Sequence, residues 1–267
     1  MRNFERMRRT SLAEGRIGLT AFNNGGRTNT SLIAFPFAGG SSPAFNALFD
    51  YFPPDWRMTV IDPPGNPWTA GQPLEDVGEL ASLFLKFLPV DMFRGAILLG
   101  HSLGAYIAFE VASRLIAFDA APKGLVLQAA RPPQLAEHDE SLADLDDQAL
   151  HRRLRHAGDI TSSEQLDLIT DFLPCIRAGL RAFENYRPLR SPLPIPSLVL
   201  AGSKDPLCEL SWMGLWRQYL SLCELGVIEG HHFFLNSNPQ ACAGAILEWS
   251  SRLNLDCSTV RRFDEIS

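Results

Sequence analysis

The chain has no run approaching the roughly 20 apolar residues that a bilayer-crossing helix needs, which argues against a membrane protein. A cationic surplus is missing too: 24 Lys and Arg face 30 Asp and Glu, a net charge of −6. Nucleic acid is thereby disfavoured as a partner, because phosphate binding needs a basic face. No C-x-x-C pair occurs. The five cysteines (Cys175, Cys208, Cys223, Cys242 and Cys257) are scattered and odd in number. That pattern suggests neither a disulfide framework nor a zinc site and fits the reduced thiols of a cytoplasm. Internal repeats and low-complexity linkers are also absent. Arg2, Arg6, Arg8 and Arg9 are followed by no apolar core, so residues 1–28 read as an irregular, solvated lead-in and not a signal peptide.

What is present is an alternation of apolar runs with helical patterns. The strand-like runs are Ser31 to Phe37, Arg57 to Ile61, Gly95 to Leu99, Gly124 to Gln128, Leu198 to Ala201 and Cys223 to Ile228. Helical spacing is expected from Ser42 to Phe49, with Pro43 at the first helical position, and over Leu74 to Leu88, Leu103 to Phe118 and Pro239 to Leu253. Such a rhythm predicts an α/β fold: one domain with a mostly parallel sheet flanked by helices. The block from Gln134 to Arg190 breaks it. Polar and helical, it is too long for an ordinary connection and is expected to be an inserted lid over the carboxyl ends of the strands. Its acidic half (Glu137, Asp139, Glu140, Asp144, Asp146, Asp147) precedes a basic half (His151, Arg152, Arg153, Arg155, His156). Leu166, Leu168, Ile169, Phe172, Leu173, Ile176 and Leu180 are expected to form lid core. Packing is also the expectation for Phe183, Tyr186 and Trp68, and for a buried helix face holding Trp212 and Trp216.

One five-residue run bears chemistry. Gly100-His101-Ser102-Leu103-Gly104 joins a predicted strand directly to a predicted helix. A turn that sharp exposes the serine hydroxyl, and glycines are needed where a side chain would strike the neighbouring strand or helix. Ser102 is therefore the candidate nucleophile. The Leu103 amide, at the helix N-terminus, is a candidate donor to an oxyanion. A serine needs a base and the base needs an acid. Two histidines follow the last predicted strand, His231 and His232, and either can be the base. Asp205, in Gly202-Ser203-Lys204-Asp205-Pro206 after the preceding strand, is the candidate acid. The usual competing position reads Gln128-Ala129-Ala130-Arg131 and has no carboxylate. The loop Phe35 to Gly40 is the expected source of a second oxyanion donor, Ala38, with Phe37 as the fallback.

With those pieces in place, the chain resembles the type II (editing) thioesterases of nonribosomal peptide and polyketide synthesis, members of the α/β-hydrolase superfamily. The resemblance rests on FPFAGGS at 35–41, GHSLGA at 100–105, AARPPQ at 129–134, GSKDP at 202–206 and GHHFFL at 230–235, with LPCIRAGLRAFENY at 173–186 matching the lid. It spans about residues 30 to 250, leaving the lead-in and the tail 254–267 without counterparts. In that family the histidine directly precedes a Phe-Phe-like pair, which implies His232 as base with Ser102 and Asp205. It also implies an enzyme without metal or diffusible cofactor. The implied substrates are acyl groups on the phosphopantetheine arm of carrier proteins; a cytoplasmic monomer is expected. The chain departs from the family at Pro64-Gly65-Asn66, where an arginine commonly follows the glycine, and at Gly179, where the lid commonly has an aspartate. A general esterase or lipase would use the same three residues. A non-catalytic binding protein of this fold is the remaining reading.

Overall fold

The computed structural model describes residues 7–137, 141–158, 163–188 and 191–253. The stretches carrying Arg2 and Arg6, Asp139 and Glu140, and the tail 254–267 with Cys257 lie outside the described residues. The strands are β1 (Met7–Leu12), β2 (Ile17–Asn23), β3 (Thr30–Phe35), β4 (Trp56–Asp62), β5 (Ile97–His101), β6 (Gly124–Gln128), β7 (Leu193–Gly202) and β8 (Leu220–Ile228). They form one eight-stranded sheet in the order β1-β2-β4-β3-β5-β6-β7-β8. The pairs β1–β2 and β2–β4 are antiparallel, and every other pair is parallel. This is the α/β-hydrolase arrangement.

The central strands read as unbroken apolar runs because both sheet faces are covered. Successive residues alternate between two cores. Ile33, Phe35, Leu98, Leu125, Leu127 and Val199 face one side. There they meet α2 (Val77–Phe87) and α3 (Leu103–Ala117). Leu32, Ala34, Leu99, Val126, Leu198 and Leu200 face the other. They meet α1 (Asn46–Phe49) and α6 (Pro239–Leu253), whose Trp249 is almost fully buried. Burying each large apolar side chain stabilises the fold by about 1.5–3 kcal/mol. The Asp76 carboxylate caps α2 by accepting the Glu79 amide at 2.8 Å, a device typically worth ~1 kcal/mol.

Several expectations are corrected. Residues 7–23 are not an irregular lead-in but the β1–β2 hairpin, with Arg9 reaching the buried Asp62 at 3.0 Å. β1 escapes sequence reading because it is exposed along nearly its whole length and so has no apolar alternation. The expected helix from Ser42 to Phe49 is split into a 3-10 turn, Ser42–Phe45, and the short α1. β7 begins at Leu193, earlier than expected, and runs through Pro194 and Pro196. The Leu193 amide donates to the Tyr219 carbonyl on the β8 side, so Pro194 and Pro196 turn their nitrogens the other way. On that side β6 pairs only from Ser197 onward, and no donor is needed. Leu210–Gln218 is a 3-10 helix, whose three-residue turn buries Met213 with Trp216 and leaves Trp212 half-buried. Trp68 is exposed, with the Arg9 guanidinium 4.8 Å from its ring centroid, whereas Phe183 and Tyr186 are buried.

The inserted block contains α4 (Asp147–Gly158) and α5 (Ser163–Glu184). Leu150, Leu154, Leu173 and Ile176 form its small core, with Phe172 and Leu180 packed against it. The side chains of Leu166, Leu168 and Ile169 are outside those described. Arg177 pairs with Asp147 at 2.6 Å and Arg181 with Glu75 at 2.9 Å, so these two arginines brace the lid. Among the described residues no helix is long and apolar enough to cross a membrane.

Candidate active site

Strand β5 ends at His101, helix α3 begins at Leu103, and Ser102 makes the whole turn between them. Its backbone sits at φ 54°, ψ −119°, a region that costs a non-glycine residue on the order of 1–3 kcal/mol. The Ser102 amide donates to the Gln128 carbonyl at 2.8 Å, which helps to hold the bend. A Cβ on Gly100 would overlap the Gly104 carbonyl, and one on Gly104 would overlap the Phe35 carbonyl. Both glycines are therefore dictated by the closeness of helix to strand.

The loop after β8 brings His232 to this turn, 130 residues on in sequence. Ser102 Oγ lies 3.0 Å from His232 Nε2, and His232 Nδ1 lies 2.8 Å from Asp205 Oδ2. Asp205 Oδ2 is an acceptor, so Nδ1 bears the proton and Nε2 is left to accept from the serine hydroxyl. The Asp205 side chain is wholly shielded from solvent. Its Oδ1 accepts the amides of Leu207 at 2.8 Å and Cys208 at 3.2 Å, which fix the orientation of the carboxyl group. His231 takes no part in the array, and its buried Nδ1 has no hydrogen-bond partner among the described residues.

The loop after β3 closes in a turn in which the Gly40 amide donates to the Phe37 carbonyl at 2.8 Å. Gly39 sits at φ 73°, as the third position of a type II turn requires. The turn's hydrogen bond does not engage the Ala38 amide, which makes no backbone hydrogen bond among the described residues. Leu103 is the first residue of α3, so its amide has no acceptor within the helix. Both residues line the same cavity as Ser102 and His232.

Sequence reasoning gave no role to His101, which is fully buried behind the serine. His101 Nε2 lies 3.0 Å from the His232 carbonyl, and Nδ1 lies 3.3 Å from the Gln128 side chain. Burial, with the nearby His232 adding to it, lowers the His101 pKa to about 3. Its place before the serine was visible, but its long-range partner was not.

The lid helix α5 crosses over the serine and splits the space there. One chamber, of about 660 Å³, is bounded by Arg131, Arg152, Arg153, His156 and Trp212. The other, of about 920 Å³, is bounded by Phe37, Ala44, Phe172, Ile176 and Phe233. Ser102, Ala38, Leu180 and His232 line both. Asn66 stands after Pro64-Gly65 in place of an arginine, and beside that loop the Arg9 guanidinium contacts Asp62 and the Trp68 ring.

The chain is similar to known proteins in sequence and in fold. A family model described as a thioesterase domain matches residues 30–250. The probable anguibactin biosynthesis thioesterase AngT of Vibrio anguillarum is 28% identical over 222 residues, covering 79% of this chain and 88% of that protein. Thioesterase PikA5 of Streptomyces venezuelae is 33% identical over 214 residues, covering 77% of this chain and 75% of its own length. The structure of the type II thioesterase BorB, from the borrelidin biosynthetic cluster, matches with a TM-score of 0.76 at 28% identity, covering 86% of this chain and 96% of that one. With its sharp strand-to-helix turn at Ser102, its helical lid and a family match over most of its length, the chain belongs to the thioesterase domain family.

Proposed function

We propose that this thioesterase hydrolyses acyl groups from the phosphopantetheine arm of carrier proteins, clearing mis-primed or stalled units during nonribosomal peptide or polyketide assembly. The observation that carries the reading is the hydrogen-bonded run Ser102–His232–Asp205 beneath the lid, in a chain whose relatives belong to such pathways. Ser102 is the nucleophile, His232 the base, Asp205 the orienting acid, and the amides of Leu103 and Ala38 the oxyanion donors.

Nε2 of His232 takes the Ser102 proton as Oγ attacks the thioester carbonyl. The negative charge on the carbonyl oxygen falls to the two amides, which need no reorganisation to receive it. The C–S bond breaks and the thiolate takes the proton from the imidazolium, leaving an acyl-serine. A water then gives His232 a proton while its oxygen attacks the acyl carbon. Ser102 departs with that proton, and the acid is released. Asp205 keeps the Nδ1–H tautomer throughout.

The two chambers suit the two arms of such a thioester. The apolar one, past Phe172 and Ile176, accommodates the acyl chain. The one bordered by Arg152 and Arg153 suits the polar arm and its phosphate. The test compares one acyl group on a carrier protein, on a small thiol and as a p-nitrophenyl ester. Faster turnover of the carrier thioester is expected. Equal or slower turnover of the carrier form than of the small thiol would overturn the reading in favour of a general esterase.

A further inference from the structure

Both sides of the His232 peptide are held. Its amide donates to the Ala157 carbonyl of α4 at 2.9 Å, and its carbonyl faces His101 Nε2 at 3.0 Å. The first partner belongs to the lid and the second to β5, the strand that ends in Ser102. A carbonyl only accepts, so His101 Nε2 must bear the proton and Nδ1 must accept. Gln128 can meet that need only through its amide nitrogen. Turned that way, the side chain also satisfies the Gln128 Nε2, which otherwise has no hydrogen-bond partner among the described residues. The His101 ring is boxed by Phe233, stacked at 6.2 Å, and by the edges of Phe37 and Phe234.

We propose that His101 is a positioning residue: its Nε2–H, with Nδ1 met by Gln128, ties the peptide of His232 to the strand that presents Ser102, so that the imidazole keeps its register on the serine even when the lid's hold through Ala157 is released. This rests on the reading of Ser102 and His232 as nucleophile and base. The neutral state of the buried ring supports it, because a fixed tautomer needs a ring that does not titrate in the working range. The charged or titratable groups facing His101 are His232 and Asp205. Gln128 is neutral. His101 touches no reacting atom, and its effect is through the placement of His232, where an error of about 1 Å can cost roughly 100-fold in rate.

The test uses His101→Phe, which keeps the ring and removes both nitrogens, and His101→Gln, whose amide can restore the donor. The readouts are kcat and KM on a p-nitrophenyl ester, the rate of Ser102 labelling by a fluorophosphonate, and the low-field proton resonance of the His232 Nδ1–H. His101→Phe is expected to lower kcat and labelling roughly 10- to 100-fold with KM little changed, and to shift or broaden that resonance. His101→Gln is expected to recover much of the loss. A folded His101→Phe with unaltered labelling and resonance would overturn the proposal. Should His101→Phe not fold, ring 15N spectra of the wild type decide. The Nε2–H tautomer is expected for His101, and an Nδ1–H tautomer overturns the proposal. Labelling does not depend on the acyl carrier, so failure of the substrate reading and failure of the positioning reading appear as different results.

Discussion

Gly179 of the lid rests directly on Ala38 of the loop after β3. A Cβ built on Gly179 would lie 2.6 Å from the Ala38 Cβ and 2.9 Å from the Leu103 Cδ2. The bare backbone at this point lets α5 seat against both proposed oxyanion donors and divide the cavity at Ser102. Gly179→Asp, which introduces the residue expected at this lid position, should force α5 away. Overpacking of this kind costs about 1–3 kcal/mol, which here falls on the seated lid. The expected outcome is a roughly tenfold fall in kcat/KM for short acyl chains, with labelling of Ser102 retained. An unchanged chain-length profile would show that this contact has no part in turnover.

Asp205→Asn should leave the fold intact and reduce hydrolysis by about 10⁴-fold, because an asparagine favours the wrong imidazole tautomer. Ser102→Ala should abolish fluorophosphonate labelling altogether. Circular dichroism checks the first variant for folding, and single-turnover hydrolysis measures the loss. Near-wild-type turnover of Asp205→Asn would point to another carboxylate as the acid.

His101 makes stability depend on pH in a defined direction. Its pKa is lowered from 6.5 to about 3 in the folded chain, mainly by burial. The unfolded chain therefore takes up a proton near pH 6.5 that the folded chain refuses. The contribution is whole above that value and declines as pH falls toward about 3, at about 1.4 kcal/mol per unit. Urea titrations from pH 7.5 to 5 should show the wild type losing stability faster than His101→Phe by about this slope. Parallel slopes would mean that the ring is protonated in the folded state.

Arg152 and Arg153 lie on the exposed side of α4 and border the polar chamber. The double variant Arg152→Ala, Arg153→Ala should raise KM for an acyl-phosphopantetheine several-fold and leave the same acyl-pantetheine, lacking the phosphate, unaffected. Steady-state kinetics on the pair of substrates reads this out. An equal effect on both would remove the arginines from phosphate recognition.

The central strands, the turn at Ser102 and the chain order of Ser102, Asp205 and His232 were legible because each has a local cause. Strands covered on both faces must be apolar at every position, as at Leu98 and Leu125. Gly100 and Gly104 announce the tight bend, since nothing larger fits between strand and helix. The paired phenylalanines pointed to His232 in preference to His231, by resemblance. β1 was hidden for the opposite reason, since an edge strand open to solvent has no burial pattern to show. The three-residue turn at Leu210–Gln218 was likewise invisible, because apolar spacing there fits an α-helix nearly as well.

Sequence alone thus determined the sheet's core strands and the tight turn at Ser102, for those follow from chain sterics and the exclusion of water from both faces. Tertiary structure alone decided what those residues meet. It placed the Gly179 backbone on Ala38, set two chambers on either side of α5, and joined His101 to a carbonyl 131 residues away. Contacts of that range depend on how the helices pack on the sheet, and no spacing along the chain encodes them.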